Sequence, residues 1–420
     1  MGTSCDQFRT VIGTQAATAG PLAGIRVLDL SRFIAGPFCA QMLGDMGAEV
    51  IKVERPGGED ARRAEPLYRG ESLYTMVFNR NKHGITLDTR HPAALDILER
   101  LVAVSDVLVE NYRPGTLAEM GLGHARLREL NPRLVVTSLS GFGQTGPLAQ
   151  RALFDAIAQA TSGLMSLTGD PDGPPTRTGT YIADHVAGLY GTIGTLLALR
   201  SRDTTGEGQL VDVASLDAIF SCLWIWPSAF AMLGLTPPRT GSRDPQTAPA
   251  TVFRATDSYV YIHAGTNALF PRLCAAIGRD DLSRDERFRS VPGRMAAIEE
   301  LEAAVSAWTE THTLAEISEA LGAVGVPFGQ VAEIGDVVAS PQIKAREMLV
   351  EIAHPLLGAV VVPGLPVKLS ATPGSIRKAP PMVGEDDDRI YAELLGFSQQ
   401  QIAELRATGA VGELPVSGME

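Results

Sequence analysis

IRVLDLSRFIAGPFCAQMLGDMGAEVIKVE, Ile25–Glu54, holds two short apolar runs on either side of one helical period. IRVLDL (25–30) reads as a strand, the stretch from Gly36 to Gly47 as a helix, and EVIKVE (49–54) as a second strand. The same alternation continues downstream. HPAALDILERLVAVSD reads as a helix leading to strand DVLVENY (106–112), and a helix over about Leu117–Leu130 leads to strand RLVVTSLS (133–140). After the turn TTGEGQ come strand LVDVAS and a helix from about Leu216. Repeated βα units of this length predict an α/β fold whose mostly parallel sheet is covered by helices.

Past Pro227 the character changes. Turn-rich sequence gives way to a hairpin through Val252–His263 and then to helices from Leu269 to Leu321, which predicts a second, smaller α+β domain. HPLLGAVVVPGLPVKLSATPG (354–374) intersperses short strands with Pro and Gly, and RIYAELLGFSQQQIAELRATG reads as a helix pair. At 420 residues the chain is long for one core. The expected organisation is a flexible tail at 1–20, a large domain at 21–227, a small domain at 228–350, and a C-terminal return to the large domain at 351–420.

Composition narrows the function class. Hydrophobic residues make up 45% and charged residues 20%, and no run of about 18 apolar residues reads as a membrane span. Residues 1–20 lack the basic start and apolar core of a secretory signal, so a soluble cytoplasmic protein is expected. A net charge of −12 argues against a nucleic-acid partner. The cysteines at 5, 39, 222 and 274 form no CxxC pair and have no His at ligand spacing, which predicts reduced thiols and no structural metal. Cys222 and Cys274 lie in apolar runs and read as packing residues.

The first βαβ unit ends in Glu54, where a dinucleotide-binding unit places the acid that holds a ribose. Its turn reads SRFIAGP instead of GxGxxG, however, so a pyrophosphate has no close approach and nicotinamide binding is disfavoured. A basic cluster follows, with Arg55, Arg62, Arg63, Lys82 and Arg90 as candidate phosphate contacts. Further on, TGTYIADHVAGLYGTIGTLLALRSR sets Asp184 where a glycine-containing segment meets an apolar helix. From the residues alone, Asp184 reads first as an N-cap. That position also suits a nucleophile, because amide donors and the helix dipole favour its ionised form.

These stretches, with NRNKHGITLD, ENYRPGTLAEMGLG, the loop SGFGQTGPLAQRALFDAIAQATSGLM and TGDPDGPPTRTGTYIADHVAGLYG in that order, make the chain strongly resemble the class III CoA-transferases over about residues 20–415. Formyl-CoA transferase and carnitine CoA-transferase belong to that family, and the α-methylacyl-CoA racemases are relatives. The resemblance implies a Rossmann-like large domain built from both ends of the chain, a smaller central domain, and an interlocked homodimer. It places the nucleophilic aspartate at Asp184. It puts CoA contacts at Phe33, Ile34, Ala35, Arg55, Leu87, Asp88, Thr89, Arg90, Asn111 and Tyr112, and further contacts at Arg151 and Asp155. Asp155 stands where formyl-CoA transferase has a Glu. HAGTN (263–267) takes the place of that enzyme's mobile glycine loop but has a single glycine, which puts loop closure in doubt.

The implied substrates are an acyl-CoA and a carboxylic acid, and the overall pattern looks closest to members acting on succinyl-CoA and other dicarboxylates. No cofactor is expected, CoA being part of the substrate. The implied route runs through an aspartyl-acyl anhydride and an aspartyl-CoA thioester, with oxyanion donors near Gly36 or Gly265. Two other readings compete. A racemase would need a His where Phe154 stands, and Phe cannot exchange protons. An inactive acyl-CoA-binding protein would have no need to retain Asp184. His185 points about 100° away from Asp184 on the helix and reads as a cap or packing residue.

Overall fold

The computed structural model describes residues 20–412, so Cys5 and all of the expected tail except Gly20 lie outside the described residues. The main sheet is assembled from β1 (Arg26–Asp29), α1 (Ala35–Asp45), β2 (Glu49–Glu54), α2 (Leu73–Phe78), β3 (Lys82–Thr86), α3 (Ala94–Ala103), β4 (Val107–Glu110), α4 (His124–Leu130), β5 (Val135–Ser140), α5 (Asp155–Thr161), α6 (Ile182–Thr205), β6 (Leu210–Ala214) and α7 (Ser215–Phe220). All six strands pair in parallel, in the order β3-β2-β1-β4-β5-β6. This is the doubly wound Rossmann order. Its connections diverge between β1 and β4, leaving a crevice at the carboxyl ends of those strands.

Strand alternation decides which side chain supports which face. Leu28, Ile51, Leu108 and Val136 join one core with Ile97, Leu98 and Leu101 of α3, while Val27, Val50, Val107 and Val135 join another with Cys39, Leu43, Ala187 and Leu199 of α1 and α6. Each such Leu or Ile stabilises the fold by about 1.5–3 kcal/mol through burial. Small residues bring α6 close. A Cβ built on Gly188 would meet the Ala35 carbonyl oxygen at 2.8 Å, and one on Gly191 would meet Leu139 Cδ2 at 2.9 Å. By length and composition α6 could cross a membrane. Its buried Ala187, Gly191, Thr195 and Ala198 instead form the inward stripe of a core helix.

Three elements differ from the sequence expectation. Strand β3 was not anticipated, because its KHGIT run opens on two basic residues that ordinarily mark a solvated segment. The helix expected over Leu117–Leu130 is interrupted, with a turn at Thr116–Glu119 and α4 starting only at His124; Gly121, at φ +85°, takes the left-handed conformation that ends the first piece. The expected strand 106–112 pairs only over Val107–Glu110, since Asn111 and Tyr112 turn away into the crevice loop.

The C-terminal segment closes on β3. Thr86 donates from its backbone N–H and its Oγ1 to Asp387, at 2.7 and 2.6 Å, and Tyr391 donates to the Thr86 carbonyl at 2.7 Å. Asp386 accepts from Gly84 N–H at 2.9 Å. A hairpin of β10 (Leu349–His354) and β11 (Gly358–Pro363) precedes it in the chain. Packing divides the chain into two compact units. One takes the described residues up to Leu164, then Thr178–Trp224, then from Lys344 onward; the other takes Met165–Arg177 and Ile225–Ile343. Residues 165–177 therefore cluster with the smaller unit and 344–350 with the larger. In the smaller unit β7 (Ala250–Arg254), β8 (Tyr259–His263) and β9 (Phe328–Gln330) form an antiparallel sheet backed by Leu273, Val305, Ile317 and Leu321.

Candidate active site

The loop between β1 and α1 is fixed from below by buried charge. Asp29 accepts from Ser31 N–H at 2.9 Å and from Lys82 Nζ at 2.8 Å, and Lys82 also donates to the Pro37 carbonyl and Asn79 Oδ1, both at 3.0 Å. Lys52 donates to the Ser31 carbonyl and lies 3.6 Å from Glu59. Burial pushes Asp29 up, but the two lysines outweigh it and hold its carboxyl below the usual range. Asn111, from the loop after β4, clamps the same segment from the side. Its Oδ1 accepts from Arg32 N–H at 2.8 Å and its Nδ2 donates to the Arg32 carbonyl at 2.7 Å. Phe33 is held at φ +63°, a strained value for a bulky residue. Gly36 is required by contact, since a Cβ there would meet Ser31 Cβ at 2.1 Å.

Above this loop a cavity of about 240 Å³ opens at the crevice. Its wall includes Ala35 after β1, Asn111–Pro114 after β4, Leu139–Gly141 at the end of β5, then Arg151, Phe154 and Asp184. The glycine loop after β5 is anchored by Asp212, which accepts from Gln144 N–H at 3.0 Å.

Asp184 is not the N-cap of its helix. Tyr181 holds that position, and Asp184 lies inside the first turn of α6. The capping carboxylate is Asp155, 3% exposed, whose Oδ1 accepts from the N–H of Ala183 at 2.7 Å and of Asp184 at 3.3 Å. Asp155 Oδ2 accepts from Gln159 Nε2 at 2.6 Å, and Gln159 is oriented by Thr178, whose N–H donates to its Oε1 at 2.9 Å. The expected preference for ionised Asp184 is therefore reversed. Burial, and then the neighbouring Asp155 carboxylate, push Asp184 up to about 7. His185 does pack: its Nδ1 lies 2.8 Å from the Tyr181 carbonyl, and its ring sits 5.0 Å from Phe38 and 5.8 Å from Phe78. Tyr74 stacks edge-on against Phe78 at 5.3 Å. Burial, and next the charge of Asp184, raise its phenol.

The other candidates divide sharply. Ala35, Asn111, Tyr112 and Arg151 share the cavity wall with Asp184. Phe33 is exposed beside it in sequence, and Ile34 is buried. Leu87 packs in the core with its N–H donating to the Glu54 carbonyl at 2.7 Å, while Thr89 and Arg90 lie on the surface and Asp88 bonds back to Arg90. Arg55 pairs with Asp60. Glu54 holds no ribose, being 4% exposed and bound twice by Arg62 at 2.7 Å. Arg62 and Lys82 are thereby consumed as internal counter-ions. Of the remaining thiols, Cys39 and Cys274 are buried, whereas Cys222 is exposed, contrary to the packing expected for it. No cluster of metal-ligating side chains occurs among the described residues. In the smaller unit Gly265 is fixed: its carbonyl accepts from the buried Arg294, and a Cβ there would meet Thr247 Oγ1 at 1.7 Å. The sequence missed the capping role of Asp155 and the presence of Tyr74; the former was legible in principle as an acid opening α5.

The sequence model of CoA-transferase family III matches residues 22–387. The chain is 40% identical over 396 residues to the succinyl-CoA–L-malate CoA-transferase beta subunit of Chloroflexus aurantiacus, covering 93% of this chain and 98% of that one. It is 37% identical over 390 residues to succinyl-CoA–D-citramalate CoA-transferase of the same organism, covering 92% and 97%. Among solved structures, a CAIB/BAIF family protein from Brucella suis superposes with a TM-score of 0.82 at 35% identity, covering 90% of this chain and all of that one.

Proposed function

Because the chain belongs to CoA-transferase family III, we propose that it moves CoA from succinyl-CoA or another dicarboxylyl-CoA to a second carboxylic acid, with Asp184 as the covalent acceptor. The observation that carries this reading is Asp184 in the wall of the crevice at the carboxyl ends of the parallel strands. Its carboxylate attacks the thioester carbonyl, the C–S bond breaks, and a mixed anhydride forms as CoA thiolate leaves. The thiolate then attacks the aspartyl carbonyl, giving an aspartyl-CoA thioester and the free donor acid. The acceptor carboxylate displaces CoA to form a new anhydride. Attack of the returning thiolate on its acyl carbonyl releases the product thioester and restores Asp184. No net proton or electron is exchanged, so the route requires no cofactor.

Each tetrahedral intermediate needs amide donors. The Ala35 and Gly36 N–H groups, in the first turn of α1, have no partner within that helix, and Ala35 shares the cavity with Asp184. That favours this end over Gly265. A raised Asp184 suits the cycle, since a more basic carboxylate is the stronger nucleophile once ionised. Leu189, Ile193, Leu197 and Phe220 are each at least 40% exposed. The first three stand one turn apart on α6, which supports a homodimer. Reduced Cys39, Cys222 and Cys274 support a cytoplasmic setting.

Hydroxylamine added during turnover should convert Asp184 to a hydroxamate, located by peptide mass mapping. An unmodified Asp184 peptide, under conditions where transfer is verified, would remove the covalent route.

A further inference from the structure

The cavity beside Asp184 is lined by two arginines that have no ion-pair partner among the described residues. Several other guanidinium groups are engaged: Arg32 and Arg55 with Asp60, Arg62 with Glu54, Arg90 with Asp88. Arg113 and Arg151 line the cavity and have no ion-pair partner among the described residues. Each is exposed, and Arg151 lies over the Phe142 ring, its Cζ 6.0 Å from the centroid. Ser140, at the end of β5 and 8% exposed, lines the same cavity, and its hydroxyl has no hydrogen-bond partner among the described residues. A buried hydroxyl without a partner carries a desolvation cost. A ligand acceptor oxygen would remove that cost.

Resting on the transferase reading above, we propose that Arg113 and Arg151 bind the distal carboxylate of a dicarboxylic acyl group while its other carboxyl reacts at Asp184. Size and charge both favour this occupant. At about 240 Å³ the cavity is smaller than the roughly 300–1,000 Å³ that enclose a drug-sized molecule. It therefore has room for a short acyl chain beside Asp184. The distal carboxylate stays ionised through every covalent step, because only the proximal one is carried through anhydride and thioester. Beside Asp184 and Asp155 that charge would meet repulsion alone unless cations stood across from it. Guanidinium groups are planar donors matched to a carboxylate. Arg151, placed among the CoA contacts by motif, becomes an acyl contact in this arrangement.

The test compares Arg113→Gln and Arg151→Gln with the unaltered protein, using succinate or glutarate and the monocarboxylates butyrate or pentanoate as acceptors. Loss of one charge-assisted bond should lower the dicarboxylate-to-monocarboxylate ratio of kcat/KM by about ten- to a hundredfold. Binding of desulfo-CoA, followed by calorimetry, should change by less than about twofold. An unchanged acceptor ratio overturns the proposal. So does a large loss of desulfo-CoA affinity with both acid classes affected equally, which would assign the arginines to CoA phosphates. Unaltered protein that prefers monocarboxylates also overturns it. None of these outcomes touches the Asp184 route, which stands or falls on hydroxamate formation.

Discussion

Replacing Asp155 by Asn should shift the acid limb of the pH profile downward without removing turnover. Asp155 does two things: it caps α6 through the Ala183 and Asp184 N–H groups, and it stands as the second cause, after burial, of the rise of Asp184 to about 7. Asn keeps one acceptor for the Ala183 N–H. Its amide would face Gln159 Nε2, whose orientation is fixed by Thr178, so one hydrogen bond is lost. That should cost about 1–2 kcal/mol of stability, read as a lower Tm. At pH 6 a carboxyl titrating at about 7 is roughly one-tenth ionised, so the largest gain in rate at that pH is about tenfold. Burial is the larger cause and survives the change. A gain of about two- to fivefold in the pH 6 to pH 8 ratio is therefore expected. The assay is kcat/KM for the acyl-CoA donor against pH, which reports the free enzyme. A midpoint that stays put or rises in Asp155→Asn would refute the electrostatic role, and a flat profile in the unaltered protein would refute the raised carboxyl itself.

Asp184→Asn should lose at least roughly a thousandfold in kcat, about 4 kcal/mol of barrier, with the fold retained by circular dichroism. Between its ordinary value of 3.8 and about 7, Asp184 holds a proton in the folded protein that the unfolded chain has released. Its contribution is fully present below 3.8 and is lost as pH rises through about 7, so Asp184→Asn should gain in Tm on the unaltered protein as pH rises from about 4 to about 7 and hold that gain above it. Gly188→Val should overpack the α1–α6 contact at the Ala35 carbonyl and cost about 1–3 kcal/mol in a urea titration, with activity falling as Asp184 shifts. Unchanged stability there would show that the helix approach is looser than the contact implies.

Much of the fold is legible in sequence because strand faces obey a period of two. Val27 and Leu28, or Val135 and Val136, could only be buried on opposite sides, and a sheet buried on both faces needs helices on both. Strand β3 was hidden because Lys82 and His83 look like surface residues. Only the pairing of Lys82 with Asp29, far away in the chain, makes its burial affordable. The same holds for Arg62 and Glu54, which a linear reading offers to phosphate and ribose but which satisfy each other.

The sequence by itself determined the alternation of strands and helices and the family, and it singled out Asp184 as the candidate for transfer chemistry, because these depend on local periodicity and on motifs of fixed spacing. The tertiary structure decided which carboxylate caps α6 and which is raised, which arginines are neutralised, and which remain open in the cavity. Ionisation and ion pairing depend on distance through space and on desolvation, and neither is set by separation along the chain.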